Sequence, residues 1–354
     1  MKLFQCGNCN NTVFFENYSC GKCGCKLGFL EREMSLIALD SSLNQWMLFH
    51  QNNALFTYCN NHQHGVCNWL VEVGTSDFCK ACELNHIIPS LQIDQNKEKW
   101  QKLEIAKHRL IFQLLQLQLP IDSKRGNTDS GLSFNFLSKE EAVGENKNLM
   151  TGHANGVITI LLSEADAVLL EKMKKDLDER YRTLIGHFRH EVGHYYWEYL
   201  IRDNQYLLDQ FRMYFGDERI SYTDALDKHY KQGPPANWQN NFISEYASSH
   251  PWEDWAETWA HYLHLMDTLE TAYYFGFKVN ARLASENPIQ MEAVFDPYQE
   301  NNFEKIVNSC IPLYFAMNSM NRSMGVADIY PFVISEPVIK KMNFIHQTVQ
   351  TWKN

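Results

Sequence analysis

The sequence predicts an α+β protein in two parts: a cysteine-rich module over residues 1–90 and a mostly α-helical domain with a small sheet over residues 91–354. Nine of the ten cysteines precede residue 83. Beyond residue 90, apolar residues recur at helical spacing in several long segments. Residues 156–162 are rich in β-branched side chains and predict a strand. The 354 residues, 45% of them hydrophobic, are enough for two such parts.

Charge and composition narrow the classes of partner. The net charge is -10, and residues 1–90 hold five Lys or Arg against seven Asp or Glu. Nucleic-acid binding depends on basic residues that neutralise phosphates, so we expect a protein or peptide substrate and no nucleic-acid partner. The first residues enter a cysteine motif directly and no apolar run approaches the ~20 residues of a membrane span. We therefore expect a soluble, cytoplasmic protein without a membrane partner, and the sequence does not predict an oligomeric state.

The first cysteine set has the spacing of a metal site. Cys6 and Cys9 form one C-x-x-C pair, and Cys20 and Cys23 form a second. Crowded cysteine pairs in a chain without an export signal indicate metal ligation rather than disulfides. The four thiols therefore predict a zinc ribbon with one structural Zn²⁺. Cys25 is a spare thiol near this site and is an alternative ligand.

The second cysteine set is less regular. Cys59 and Cys67 are separated by seven residues, and Cys79 and Cys82 form a further C-x-x-C pair. These four predict a second structural Zn²⁺ site, and two histidines between the first pair are alternative ligands, namely His62 and His64. Between the two sets, residues 46–49 and 55–58 predict short strands joined by a polar turn at residues 51–53.

Beyond residue 90, the sequence predicts both helices and strands. Residues 97–119 predict a long amphipathic helix, and residues 132–136 predict a short strand. The strand at residues 156–162 raises the hypothesis that an extended peptide pairs with its edge. Residues 299–321 and 335–352 predict two further helices.

The most informative stretch of the second part is H-E-x-x-H at residues 190–194. On a helix, His190 and His194 project from one face a turn apart, so both imidazoles can bind one metal ion. Glu191 is turned about 100° away, which places its carboxylate beside the metal as a candidate general base. The apolar residues of the same segment fall on the opposite side from the histidines.

A third ligand is required, and residues 250–264 are its best source. A catalytic zinc usually has three protein ligands and one open position. Pro251 is placed to begin a helix, with His250 as its cap. Acidic residues one turn apart on this helix, opposite a tryptophan-rich face, call for a counter-charge. We assign Glu253 as the third ligand and Glu257 as the acceptor of a hydrogen bond from a zinc-bound histidine, with Glu257 or Asp254 as alternative ligands.

These motifs resemble known families. Tyr246, Glu253, Ala256 and Glu257, after a distant H-E-x-x-H, resemble the anthrax lethal factor group of gluzincin metalloproteases. That resemblance implies that Glu253 binds zinc and that Tyr246 stabilises an oxyanion. The whole chain resembles a bacterial family of zinc-dependent metallopeptidases with an N-terminal zinc ribbon, which implies a zincin-type metallopeptidase domain over residues 91–354.

The function predicted from the sequence is therefore zinc-dependent hydrolysis of peptide bonds with Glu191 as general base, one catalytic zinc and one or two structural zinc ions. Two alternatives remain open. One is a catalytically silent, zinc-containing binding or scaffold protein. The other is a zinc hydrolase of substrates other than peptides.

Overall fold

The computed structural model describes residues 1–39, 46–47, 55–138, 151–166, 169, 183–282 and 288–353. Chain contacts divide it into two units. The N-terminal unit comprises Lys2–Gln116 and Pro120–Met173, and the C-terminal unit comprises Met1, Leu117–Leu119 and Lys174–Asn354. The boundary at residues 90/91 stays a prediction.

Short strands dominate the first part of the N-terminal unit. In chain order they are β1 (Phe4–Gln5), β2 (Thr12–Val13), β3 (Lys26–Leu30), β4 (Ser35–Leu39), β5 (Trp46–Met47), β6 (Leu55–Tyr58) and β7 (Leu70–Glu72). β1 pairs with β2, β3 with β4, and β6 with both β5 and β7, all antiparallel. The two strands predicted between the cysteine sets are confirmed as β5 and β6, whereas the predicted turn between them lies outside the described residues.

Aromatic residues form the core of this cysteine-rich region. Phe15 and Phe29 are buried and their ring centroids lie 5.2 Å apart, and the Phe29 ring lies 4.6 Å from that of Trp69. Phe112, on helix α2 (Asp94–Gln116), lies 4.9 Å from Phe15. The helix predicted over residues 97–119 is thus confirmed, and it packs on the cysteine-rich region. Aromatic packing and metal binding together can stabilise a module whose strands are this short.

Four further strands among the described residues of this unit form one mixed sheet. The short helix α1 (Lys80–Glu83) leads into β8 (Asn85–Ile87), and the others are β9 (Ser133–Leu137), β10 (Gly152–Ala154) and β11 (Val157–Leu161). The strand order is β10-β11-β9-β8, with β11 parallel to β9 and antiparallel to β10. The strands predicted at residues 132–136 and 156–162 are confirmed. The hypothesis that the second offers a free edge is wrong, because β11 has a strand on each side.

Helices build the C-terminal unit. Among the described residues they are α3 (Leu184–Tyr196), α4 (Gln205–Phe215), α5 (Tyr222–Gln232), α6 (Pro251–Tyr274), α7 (Phe303–Ser323) and α8 (Glu336–Lys353). A π-helical segment, Trp197–Ile201, continues α3, and one hairpin joins β12 (Lys278–Asn280) to β13 (Gln290–Glu292). The helices predicted near residues 299–321 and 335–352 are confirmed as α7 and α8. These elements, with the small sheets, confirm the α+β class.

Helix α6 is the centre of this unit. It begins as predicted at Pro251, with the His250 side chain accepting a hydrogen bond from the backbone N–H of Trp252. Trp255, Trp259 and Leu263 on α6 are completely buried. Because α6 is packed by α3, α4, α7 and α8, its polar residues are fixed in position. Across the described ranges, none of the helices is long and apolar enough to span a membrane.

Candidate metal centres

The first cysteine set comes together at one point. The Sγ atoms of Cys6 and Cys23 are 3.7 Å apart, and those of Cys9 and Cys20 are 3.6 Å apart. A zinc ion with Zn–S bonds of about 2.3 Å separates the sulfurs of a tetrahedron by about 3.8 Å, so the spacing fits zinc. Cys25 lies beside this cluster, where its sulfur accepts a hydrogen bond from the Asn8 amide at 3.1 Å.

The second set is also brought together, and it is buried. Cys59, Cys67, Cys79 and Cys82 form one cluster, in which the Cys67 and Cys79 sulfurs are 3.7 Å apart. Burial raises the pKa of Cys67 and of Cys79 well above the ordinary thiol value. Burial thus penalises the thiolate form, so the four sulfurs could be thiolates together only with a cation among them, and the set fits zinc. His62 instead donates a hydrogen bond from its Nδ1–H to the Cys67 carbonyl oxygen at 2.8 Å.

One residue beside the second set was missed by the sequence reasoning. The Nε2 atom of His108, on α2, is 3.7 Å from the Cys82 sulfur, and its Nδ1 is 2.7 Å from the Glu104 carbonyl oxygen. His108 is buried and is 26 residues from Cys82 in the chain. Only the fold of α2 onto the cysteine-rich region reveals this contact.

In the C-terminal unit, close packing of α3 on α6 builds the third candidate centre. Gly193, inside the H-E-x-x-H motif, lies against Ala256 of α6, where an added Cβ would be 3.1 Å from the Ala256 Cα. The Trp255 indole N–H donates to the Gly193 carbonyl at 2.9 Å. Two small residues thus let the helix backbones approach, and this carries a carboxylate of α6 to the histidines of α3.

Three side-chain atoms converge there. The Nε2 atoms of His190 and His194 are 3.2 Å apart, and Glu253 Oε2 is 3.1 Å from the first and 3.4 Å from the second. Zinc bound at about 2.0–2.1 Å in a tetrahedron separates such ligand atoms by about 3.3–3.4 Å. Glu253 Oε2 is buried and accepts no hydrogen bond from the residues that the structure describes. This donor set fits a zinc ion.

The two alternative carboxylates have other partners. Glu257 Oε1 is 2.7 Å from His190 Nδ1, and its Oε2 accepts a hydrogen bond from the Ser244 hydroxyl at 2.6 Å. Asp254 faces away from the histidines and pairs with Lys341 of α8 at 2.6 Å. The geometry therefore favours Glu253 over Asp254 and Glu257 as the group beside both imidazoles, and it gives Glu257 the contact with His190 that we predicted.

Glu191 lies next to this cluster on α3. Its Oε1 is 3.0 Å from Nε2 of His187, one turn earlier on the same helix. Burial raises the pKa of Glu191, but the His187 hydrogen bond and the nearby imidazoles outweigh burial and lower that pKa to about 2. The carboxylate is therefore ionised at neutral pH and can accept a proton. His187 had no assigned role in the sequence reasoning, although its position four residues before Glu191 was a usable signal.

Two phenols adjoin the cluster. Tyr246 lies in the short 3₁₀ helix Tyr246–Ser248, with its ring centroid 6.0 Å from that of His190. Burial, and then the charge of Glu253, raise the pKa of Tyr246 above its ordinary range, so the hydroxyl keeps its proton. The second phenol, Tyr222, donates to Glu253 Oε1 at 2.6 Å and was not predicted.

Two histidines of one helix, a glutamate distant in sequence and an adjacent ionised carboxylate define a site of the zinc metallopeptidase class. The family comparisons agree with this class. The model of the family described as "Putative zinc-binding metallo-peptidase" matches residues 96–348, and a zinc-ribbon domain model matches residues 3–93. The chain belongs to this metallopeptidase family and has an N-terminal zinc ribbon. Zinc is accordingly its cofactor, in a catalytic-type site and in the cysteine clusters.

Relatives of similar length occur in mycobacteria. An uncharacterised protein of Mycobacterium bovis is 40% identical over 350 residues, which cover 99% of this chain and 95% of the relative. Uncharacterised proteins from two strains of Mycobacterium tuberculosis, CDC 1551 and H37Rv, match with the same identity and coverage. No solved structure matches the chain.

Proposed function

We propose that the chain is a zinc-dependent metallopeptidase that hydrolyses peptide bonds in a protein or peptide substrate. The observation that carries this proposal is the convergence of His190, His194 and Glu253, whose three donor atoms are separated by 3.1–3.4 Å, next to the ionised carboxylate of Glu191. Membership of a zinc-binding metallopeptidase family supports the same reaction class.

In this proposal His190, His194 and Glu253 hold the catalytic zinc. Zinc supplies a Lewis acid that polarises the scissile carbonyl and makes water more acidic. Glu257 accepts a hydrogen bond from Nδ1–H of His190 at 2.7 Å, which fixes the tautomer that leaves Nε2 free to bind metal. Ser244 holds the other oxygen of Glu257 at 2.6 Å, so the carboxylate is fixed at both ends.

Glu191 is the proposed general base. It takes a proton from the attacking water and later gives it to the leaving amine. His187 occupies one oxygen of Glu191, at 3.0 Å, and so orients the other oxygen for proton transfer. Tyr246 is the proposed oxyanion stabiliser, since its protonated hydroxyl can donate a hydrogen bond to negative charge that develops on the substrate carbonyl.

We propose structural roles for the cysteine clusters. Cys6, Cys9, Cys20 and Cys23 hold one zinc ion, and a second is held by Cys59, Cys67, Cys79 and Cys82. Sulfur separations of 3.6–3.7 Å support both sets. The full chain would then bind about three zinc ions, two of them without an open position.

Two variants test the site. Elemental analysis of purified protein should give about three zinc ions per chain, and His190→Ala should lose one of them. Glu191→Gln should keep all three zinc ions but reduce turnover about 10²- to 10⁴-fold. A His190→Ala protein with the full zinc content would contradict the proposed centre.

The substrate class needs a separate experiment. Denatured protein and peptide libraries are compared with simple amide and ester substrates, and each is assayed with the parent and the Glu191→Gln variant. Cleavage of peptides that depends on Glu191 supports the proposal. Ester or amide hydrolysis alone would favour the non-peptide hydrolase, and identical behaviour of the two proteins in every assay would favour the silent scaffold.

A further inference from the structure

The two oxygens of Glu253 have different partners. Oε2 faces the Nε2 atoms of His190 and His194, at 3.1 and 3.4 Å. Oε1 accepts a hydrogen bond from the Tyr222 hydroxyl at 2.6 Å. The glutamate is 99% buried, so the phenol is one of the few groups that decide which way its carboxylate turns.

Tyr222 is not part of a packed core. It begins helix α5, which contains no buried residue, and the Tyr222 side chain itself is 38% exposed. Its ring has edge contacts with His250 and Trp252, whose centroids are 5.1 and 6.2 Å away. A tyrosine that only filled space here would need no hydroxyl, and the hydroxyl is the atom that reaches the carboxylate.

A carboxylate binds a metal ion through one oxygen or through both. Binding through both occupies an additional coordination position, which a catalytic zinc must keep open for water and substrate. A short hydrogen bond from a phenol to one oxygen competes with the second metal bond, because the same lone pairs serve both.

We propose that Tyr222 is a positioning residue that holds Oε1 of Glu253 away from the metal, so that Glu253 binds through Oε2 alone and a coordination position stays open. This inference rests on the proposed centre of His190, His194 and Glu253. Its task differs from that of Tyr246, which the family resemblance assigns to the oxyanion. Tyr222 acts through the ligand, and Tyr246 acts on the substrate.

The test uses the full chain with zinc kept in its cysteine clusters. A chelator removes metal from the proposed centre, which is refilled either with Zn²⁺, to measure affinity by competition, or with Co²⁺, to record the visible spectrum. Tyr222→Phe is compared with the parent and with Tyr206→Phe, a matched control whose residue on α4 is 71% exposed. Circular dichroism checks that each variant folds.

In Tyr222→Phe we expect zinc to bind about 10- to 100-fold more weakly. We also expect weaker Co²⁺ absorption bands, because the second oxygen joins the metal and raises the coordination number. The Tyr206→Phe control should match the parent in zinc affinity and in the Co²⁺ spectrum. Unchanged affinity and spectrum would overturn the proposal, as would weaker binding with an unchanged spectrum.

Failure of the proposed peptidase function would give different results from failure of the proposed role of Tyr222. Absence of peptide cleavage by the parent, with the expected metal affinity and spectra, would reject the peptidase reaction and leave the role of Tyr222 intact. A parent protein that binds no third metal would reject the centre and the positioning role with it.

Discussion

Replacement of Gly193 by alanine tests whether helix packing sets the geometry of the metal centre. An alanine Cβ would lie 3.1 Å from the Cα of Ala256, 3.2 Å from the Cβ of Trp259 and 3.3 Å from the Ala256 carbonyl oxygen. Carbon atoms in relaxed contact are about 3.5–4.0 Å apart, so α3 and α6 must separate by at least about 0.4 Å. Glu253 lies less than one helical turn from Ala256, and it must move with α6.

Two effects on stability oppose each other in Gly193→Ala. Overpacking costs about 1–3 kcal/mol, whereas alanine in place of a helical glycine returns up to about 1 kcal/mol. The free energy of unfolding should therefore fall by no more than about 2 kcal/mol. Metal binding is more sensitive than stability to this displacement, because distances between the metal and its ligands must hold to about 0.2 Å. We expect zinc to bind the centre at least about 10-fold more weakly, as when a group that orients a ligand is lost.

Chelator competition measures the zinc affinity of the Gly193→Ala protein, and urea unfolding of the metal-depleted protein measures its stability. Gly152→Ala is the control, because no heavy atom lies within 4 Å of the Cβ it would add. Parental zinc affinity in Gly193→Ala would refute the reasoning, since it would show that the helix contact does not set the position of Glu253. A loss of stability without a loss of affinity would do the same.

Three further predictions concern other parts of the chain. Lys341→Met should lower the free energy of unfolding by about 3–5 kcal/mol, because it leaves the buried Asp254 carboxylate without its ion-pair partner. In urea unfolding, the double variant Lys341→Met/Asp254→Asn should recover most of this loss. A loss below about 1 kcal/mol in the single variant would contradict the ion-pair account. Burial lowers the pKa of His346 to about 4 in the folded protein, against about 6.5 unfolded, so its contribution to stability is complete above pH 6.5 and is lost as the pH falls toward 4. His346→Gln should remove up to about 2.5 kcal/mol of that pH dependence when unfolding is compared at pH 7 and pH 4.5, and an unchanged difference between these pH values would count against it. Cys25→Ser should keep the full zinc content, whereas Cys23→Ser should lose zinc, as measured by elemental analysis. The reverse result would make Cys25, and not Cys23, the fourth ligand of the first cysteine set.

Local spacing was sufficient for the parts of the site that lie on one element. The four-residue interval between His190 and His194 places both rings on one helix face whatever surrounds it. The same holds for each C-x-x-C pair, whose two sulfurs are close because so little chain separates them. The sequence therefore predicted these groups, and the structure brings them together.

Other features of the site depend on tertiary contacts, which residue spacing in the sequence does not determine. Glu253, Asp254 and Glu257 are all acidic and lie within two turns of α6, so the sequence assigned Glu253 as the ligand but left the other two as alternatives. Asp254 is engaged by Lys341, which lies 87 residues further along the chain, and Glu257 is engaged by Ser244 and by Nδ1 of His190. Tyr222 was missed for a related reason, because an exposed tyrosine at the start of a polar helix has no periodic signal. The edge of β11 was misjudged because strand order is not encoded in one strand.

Charge balance favours a metal ion among the carboxylates of the proposed centre. Glu191, Glu253 and Glu257 are three buried or half-buried carboxylates, and their ion-pair partners within the described residues are imidazoles rather than Lys or Arg. Arg189, the nearest arginine in the chain to Glu191, pairs instead with Asp267 at 2.6 Å. A zinc ligand must be a neutral imidazole, so His190 and His194 cannot offset these carboxylates as cations while they bind metal. A divalent ion held by His190, His194 and Glu253, as proposed, would supply the missing positive charge and offset this density of carboxylates.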